Sequence, residues 1–502
     1  MNSEFSARSA KYRIRQRVEP SIAPLATAVS GALAAGSLQA ATITVDTLNG
    51  AEETGACSLR SAIYAAYIDG ATDSYQCAYG EEGEDTIVFD SGLSGTVQLT
   101  NSDGGFYFDG STLLVESEVT IEGDGRIEVA GTGNAPVFYA RYTSGPSFNS
   151  ASFTVRGLEI TGGGGNLGAG IYSRSTYLAI ESSFITGNDA TQRGGGVWHV
   201  PYNSASPDAG LYIGDDSSIG LNSANQYGGG VYARQNGSGN IEIGDTIFYN
   251  NYAGYDGGAV LAEASGGDVY ASGIYAAGNE ASFGGAFDIR TQGGSVGVEY
   301  SEFVNNDADG GCGGAINVSG SPDQVAIGHS VFFGNSTAGC GGAVSIDAPG
   351  NENALVEIKY SELTDNLAST TISGGGAVYA NLGSGTTMAV SNSTISGNES
   401  NAYGGGLYLA GNMSAEVKYS TLANNYAAYD GGGLYSSVDD CTVNDSIFAG
   451  NQNQADYQNL TGSPYCSVSE TLFQPQVLGL QRRRRQPGGA GSAAGAASGQ
   501  WR

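Results

Sequence analysis

The sequence predicts an all-β chain wound as a right-handed, single-stranded parallel β-helix, capped at its N-terminal end by a short helix. Three observations carry this expectation. A phrase of the form Ser-x-apolar-x-x-Asn, then a glycine pair or triplet, then an aliphatic or aromatic residue recurs along much of the 502-residue chain. Glycine supplies 81 residues without a strict Gly-X-Y period, which excludes collagen. Charged residues make up only 14%, well below the usual quarter or so. Such a chain suits many short strands separated by tight turns.

Taken in order, residues 1–40 read as an export signal. Lys11, Arg13, Arg15 and Arg17 form a basic leader, and 22–36 form an apolar stretch too short to span a bilayer. Leu38-Gln39-Ala40 offers a small-residue cleavage site. No later run is long and apolar enough for a transmembrane helix. Residues 41–84 are expected to form the cap. Leu59, Ala62, Ile63, Ala66 and Tyr67 recur at helical spacing after Ser58, a suitable N-cap. A helix there would cover a sheet end that otherwise invites edge-to-edge aggregation. The β-helix is assigned to 85–455, with an end segment at 456–481 and a tail at 482–502. Its first coils are irregular, built from pieces such as DTIVFD, TVQL, LLVESEVTIEG, RIEVAG and FTVRGLEITG.

The residue after the glycines falls at Ile171, Val197, Val231, Val260, Phe287, Ile316, Val344, Val378, Leu407 and Leu434, nine steps over 263 residues. Helical repeats of this length are excluded, because glycine pairs and β-branched residues in every repeat disfavour helix. Alternating stretches such as Ile241-Glu242-Ile243 and Val356-Glu357-Ile358-Lys359 read as strands. Each repeat is then one coil of about three strands, stacked about 4.8 Å from the next. No coil buries its inner face alone, so stacking makes the core. Asn188, Asn222, Asn251, Asn335, Asn398 and Asn425 lie nine residues before the aliphatic, and Asn279, Asn306 and Asn366 are off by one to three. Two roles are expected of them: a left-handed bend and a hydrogen-bonded ladder.

Six cysteines follow the export signal, and an even number in an oxidising space implies disulfides. Cys312 and Cys340 each precede the post-glycine residue by four, so they hold one place in consecutive coils. A spacing of about 4.8 Å there falls in the disulfide window of about 4.4–6.8 Å. Phe283 and Tyr227 hold the same place in earlier coils. Sequence proximity alone suggests Cys57 with Cys77 and Cys441 with Cys466. No Cys or His spacing argues for a metal, and no cofactor is expected. Asp256 and Asp430 occupy equivalent places but lie too many coils apart to share one ion, so calcium stays open, without support from these residues. Between 41 and 481 the chain carries 10 basic and 48 acidic residues, a net charge of −38. That argues against nucleic acid. It fits either simple solubility or a divalent or cationic partner.

CSLRSAI at 57–63 and DTIVFD at 85–90 resemble the N-terminal signature of bacterial CSLREA-type proteins, with Ser61 where that group usually has Glu. The Asn and Gly-Gly-aliphatic repeats resemble those of polymorphic outer-membrane proteins and right-handed β-helix repeat groups. The resemblance covers roughly 41–455. It implies an exported bacterial protein of the extracellular space or outer-membrane surface, often without assigned activity. The end departs from the pattern. Such proteins commonly run from a Leu-Gly segment into Asp-Asn-Gly-Gly, whereas Val477-Leu478-Gly479-Leu480 here runs into an Arg-, Gly- and Ala-rich tail. That reads as an out-of-frame or truncated end, with a disordered basic tail as the alternative.

Parallel β-helices often house polysaccharide lyases and hydrolases, but catalytic candidates are thin. Asp215-Asp216 and a distant His329 lack the flanking residues of a lyase site, Asp439-Asp440 sits beside Cys441 in a turn, and His199 follows Trp198 on a strand. Two His and no Gly-x-Ser-x-Gly argue against a nucleophilic triad. Strand alternation predicts that the residue after each post-glycine aliphatic points outward. These are Tyr172, Trp198 and Tyr232 at one end, and Tyr379, Tyr408 and Tyr435 at the other. Leu261, Asp288, Asn317 and Ser345 lie between. Exposed aromatic stripes could seat sugar rings or a protein partner; ring stacking along the helix is the plain alternative. The expected function is structural or adhesin-like, for a monomer that meets extracellular glycans or cell-surface proteins. A lyase or glycoside hydrolase with carboxylates in a lateral groove is the rival.

Overall fold

The computed structural model describes residues 40–474, apart from 52–54, 70–75, 82, 101–110, 142–151, 203–205, 207–208, 351, 439, 455–458 and 463–465. The expected export signal, except Ala40, lies outside the described residues, as do Asp439 and the tail 482–502.

Short strands stack in parallel into three sheets, as expected of a parallel β-helix. One coil shows the pattern. Val260–Ala264 lies in a 13-stranded front sheet, Val269–Ser272 and Tyr275–Ala277 lie in a 27-stranded back sheet, and Glu280–Ala281 lies in a 10-stranded narrow sheet. The next coil begins at Phe287, paired in register with Val260. The whole post-glycine column, from Ile171 through Val197, Val231, Val260, Phe287, Ile316, Val344, Val378 and Leu407 to Leu434, runs in register. All are buried. Facing side chains from the front and back sheets fill one continuous core, in which Phe248, Phe287, Phe303 and Phe332 pack ring on ring.

The asparagine ladder forms, but the bend is made elsewhere. The left-handed residue is not the ladder Asn but the one before it: Leu221, Asn250, Asn305, Asp365 and Asn424, alternating with glycines such as Gly187, Gly278 and Gly334. The bend at that residue frees the following Asn to aim its amide inward. Each ladder Asn then donates from Nδ2 to the Oδ1 of the Asn one coil on, at 2.9–3.1 Å, from Asn188 to Asn451. The same Oδ1 also accepts from the backbone N–H of the preceding rung, as Asn335 does from Asn306 at 3.0 Å. Asn279, Asn306 and Asn366, out of step in sequence, are ordinary rungs. A second ladder follows the same rule at the back-sheet bend, where left-handed Tyr300, His329, Tyr360 and Asn392 each precede a buried serine. Ser301 N–H donates to Ser330 Oγ at 3.1 Å, and the pattern continues through Ser361, Ser393 and Ser420.

The glycines answer to close approach. A Cβ on Gly229 would lie 2.3 Å from the carbonyl oxygen of Tyr252 and 2.4 Å from that of Gly258, so only hydrogen fits between stacked corners.

Helix α1 (Leu59–Ile68) starts at Ser58, whose hydroxyl accepts from the Ser61 N–H, and packs against the strands Thr42–Val45, Asp85–Phe89 and Leu113–Val115. Its buried face holds Leu59, Ala62, Ile63 and Ala66 as expected, with Ala65 in place of Tyr67, which is exposed. Ser61 is buried and within hydrogen-bond distance of Ser58 Oγ, 3.0 Å. Three disulfides join Cys57 to Cys77, Cys312 to Cys340 and Cys441 to Cys466. The Cys312 and Cys340 Cα atoms are 4.5 Å apart, about the coil spacing.

Candidate binding surface

The outward column of the front sheet stacks as its spacing predicts. Tyr172 lies 4.5 Å from Trp198, and Trp198 lies 6.4 Å from Tyr232, with near-parallel rings. Tyr379, Tyr408 and Tyr435 stack at 5.4 and 5.2 Å. The expectation of exposure needs correction. Trp198 is 5% and Tyr232 2% exposed, and Tyr172, Tyr379, Tyr408 and Tyr435 are half-buried. The cause lies at the glycine corner, where the chain folds back over the sheet. Leu167 and Tyr227, from the residues just before the glycines, pack on Trp198, Tyr232 and Leu261 as a second, external core. The Arg193 guanidinium sits 5.1 Å from the Tyr227 ring and 5.3 Å from the Tyr232 ring, adding cation–π attraction. Burial and the Glu263 carboxylate push the Tyr232 hydroxyl up to about 12.

Other rings of the same glycine corner reach solvent. Tyr255 is 54% exposed, Phe283 40% and Tyr429 45%. Tyr255 lies 5.7 Å from Tyr227, and Tyr429 lies 5.2 Å from Tyr403, which in turn packs 4.8 Å from Tyr435. Tyr227, Phe283 and Tyr403 sit four residues before their post-glycine positions, and Tyr255 and Tyr429 five before. That second recurrence was present in the sequence, but strand alternation does not apply across a glycine corner, so it gave no sign of exposure. Exposed Tyr252 extends the first patch onto the narrow sheet.

Between the two patches the outward column turns polar. Asp288 is fully buried, accepts from Asn317 Nδ2 at 2.7 Å and has Arg290 Nη2 2.7 Å from its Oδ2. Arg290 also donates to Asp256 and lies 3.7 Å from Glu263. Burial pushes the Asp288 carboxyl up to about 6, against the pull of Arg290. On the narrow sheet, Tyr252, Glu280 and Asp307 succeed one another in register. Asp307 accepts from Ser336 Oγ at 2.6 Å, and Asp309 accepts from Ser282 Oγ at 3.2 Å. The Glu280 carboxyl is raised by burial and by the Asp307 and Asp309 charges.

The residues weighed for catalysis do not converge. Asp215 and Asp216 are both left-handed at the back-sheet bend, and Tyr212 donates to Asp215 at 3.3 Å. His329 holds the same column four coils on, at about 19 Å by coil spacing, sandwiched by Tyr300 and Tyr360 at 4.8 and 4.9 Å. His199 is not a surface residue. It points into the core beside Ser173 Oγ at 3.0 Å, and burial lowers it to about 3. Asp440 lies on the back sheet in register with Ser414. Asp256 pairs with Arg290, and Asp430 accepts from Asn453. Among the described residues no group of three His, Cys, Asp or Glu could hold a metal ion, and no helix is long and apolar enough to cross a membrane.

Residues 245–263 match the model of the Chlamydia polymorphic membrane protein repeat. The matched stretch contains a back-sheet bend, the ladder residue Asn251, exposed Tyr252 and Tyr255, and the glycine corner that leads into Val260. No curated protein and no solved structure matches the chain.

Proposed function

We propose that this chain is an exported, surface-associated protein of adhesin-like character, and that it grips its partner through the aromatic glycine corner. The observation that carries this reading is the pair of exposed ring clusters, around Tyr255 and Tyr429, each packed against half-buried tyrosines of the same corner. They share one corner of the β-helix and lie six coils apart, about 29 Å. Exposed aromatic clusters mark interaction sites. Rings held by a rigid floor lose little entropy on binding, which favours affinity. The likeness of 245–263 to a surface-protein repeat supports the location, and the acidic shaft suits an exported setting. Glycans and cell-surface proteins are both suitable partners for such rings.

The test is attachment of the purified chain to bacterial and host-cell surfaces and to a glycan array. Tyr255→Ala with Phe283→Ala, or Tyr429→Ala, is expected to weaken binding about tenfold or more, as loss of an aromatic anchor costs about 2 kcal/mol. Wild-type attachment by the triple variant would overturn the assignment. Turnover of acidic polysaccharides, read as unsaturated or reducing product, is expected to be absent; clear turnover would move the site to the back-sheet bend.

A further inference from the structure

We infer that the patch where the glycine corner meets the narrow sheet, formed by Tyr252, Tyr255, Glu280, Phe283, Asp307 and Asp309, seats a Lys/Arg-rich segment of a partner protein. This rests on the adhesin-like reading and names the chemistry of its partner. Three observations lead there. The rings and carboxylates lie in successive coils of one exposed surface: Tyr252, Glu280 and Asp307 follow in register, and the Phe283 N–H donates to the Tyr255 carbonyl at 2.9 Å. No ion pair among the described residues engages Glu280, Asp307 or Asp309, whereas the nearby Arg290 is held by Asp256, Glu263 and Asp288. The Glu280 carboxyl is raised by its burial and by the neighbouring Asp307 and Asp309 charges, and an incoming cation favours its ionised form.

The alternatives fit less well. An acidic glycan or a phosphate group meets like charge here. A single divalent ion needs converging ligands, and these carboxylates do not form such a group. Glu280 and Asp307 lie one coil apart along the axis, and Asp309 stands two residues beyond Asp307 in the same coil, a spread that suits several cations of one segment rather than one ion. Exposed Tyr and Phe rings beside them attract ammonium and guanidinium groups over their faces, each worth about 0.5–1 kcal/mol at exposed sites. The surplus of 48 acidic over 10 basic residues between 41 and 481 also draws a basic partner in from a distance.

The full chain is tested by biolayer interferometry against a twelve-residue peptide of alternating Arg and Ser and its Gln-for-Arg counterpart. The Arg peptide is expected to bind, more weakly as salt rises past about 0.15 M, and the Gln peptide not to bind. Glu280→Gln/Asp307→Asn/Asp309→Asn, and separately Tyr255→Ala/Phe283→Ala, should each weaken binding about tenfold. A control that removes the same charge from the back sheet, Glu242→Gln/Glu362→Gln/Glu416→Gln, should leave binding within about twofold. Equal loss in the control would refute the inference, because diffuse charge would then suffice. Loss on ring removal without loss on acid removal would also refute it, and would point to a neutral glycan. Surface attachment that depends on Tyr255 and Phe283, without Arg-peptide binding, would sink this inference and leave the adhesin reading standing. Absence of both would sink the two together.

Discussion

Replacing Asn306 by alanine isolates the ladder's contribution, because that rung is central and its bonds are fully defined. Asn306 Oδ1 accepts from the Asn279 N–H at 3.1 Å and from Asn279 Nδ2 at 2.9 Å. Its own Nδ2 donates to the Ala276 carbonyl and to Asn335 Oδ1. Alanine removes the last two donors with the side chain, but strands two buried donors on Asn279. At about 1–3 kcal/mol for each unsatisfied buried group, the expected loss is about 2–6 kcal/mol. Asn188 begins the ladder, and among the described residues its Oδ1 accepts only from the Gly163 N–H, at 2.9 Å. Asn188→Ala should therefore cost about half as much. Urea denaturation of the disulfide-intact chain, followed by far-UV circular dichroism, reads both values, provided the m-value is unchanged. A loss below about 1 kcal/mol for Asn306→Ala, or one no larger than for Asn188→Ala, would show that stacked strands alone hold the coils and that the amides are incidental. Asn306→Asp keeps the acceptor and loses the donors, so it should be at least as damaging at neutral pH and partly recover in acid, where a carboxylic acid can donate.

Further outcomes follow from the same geometry. Cys312→Ser/Cys340→Ser opens a 28-residue loop and should cost about 3.5 kcal/mol in the chain-entropy model; an unchanged denaturation midpoint relative to wild type would contradict it. Trp198→Ala, in the buried stripe, should cost about 3 kcal/mol, whereas Tyr429→Ala at the exposed corner should stay within about 0.5 kcal/mol; thermal melts that rank them the other way would restore the exposed-stripe reading. Asp288 is raised to about 6 by burial, against about 3.9 unfolded. Between those values the folded chain keeps a proton that the unfolded chain has lost, so this group's contribution to stability falls as pH rises. His199 acts with the opposite sign. Burial lowers it to about 3, the unfolded imidazole takes a proton below about 6.5, and its contribution falls as pH drops. Asp288→Asn and His199→Phe should tilt the pH 4–7 profile of denaturation midpoints in opposite directions; parallel profiles would refute both assignments.

The fold was legible because its rule is periodic. The post-glycine aliphatics, the ladder Asn and the Cys312–Cys340 register each follow from counting residues along a coil. The left-handed position was missed because the physical preference of Asn for that conformation pointed to the visible Asn. In fact its neighbour bends, and that neighbour varies among Leu, Asp, Asn and Gly. Exposure of the front column was misread for a related reason. Alternation tells which side of a strand a residue faces, but not that Leu167 and Tyr227 close over it from the preceding turn. Burial of His199 was legible in principle, since it sits two residues after Val197, in register with buried Ala233. The carboxylates on the narrow sheet carried no recurring phrase, because two-residue strands are too short to show one.

Rungs of the asparagine ladder are separated by anything from 26 to 34 residues. From Val296 to Asn306, Val325 to Asn335 and Met388 to Asn398 the back-sheet course is constant, while the connection from front to back sheet lengthens and shortens, as between Ala348 and Leu355. That corner is therefore where a lineage can lengthen or diversify its outer surface without retuning the interior. It is equally where an experimenter can splice in a reporter peptide and still recover the same shaft.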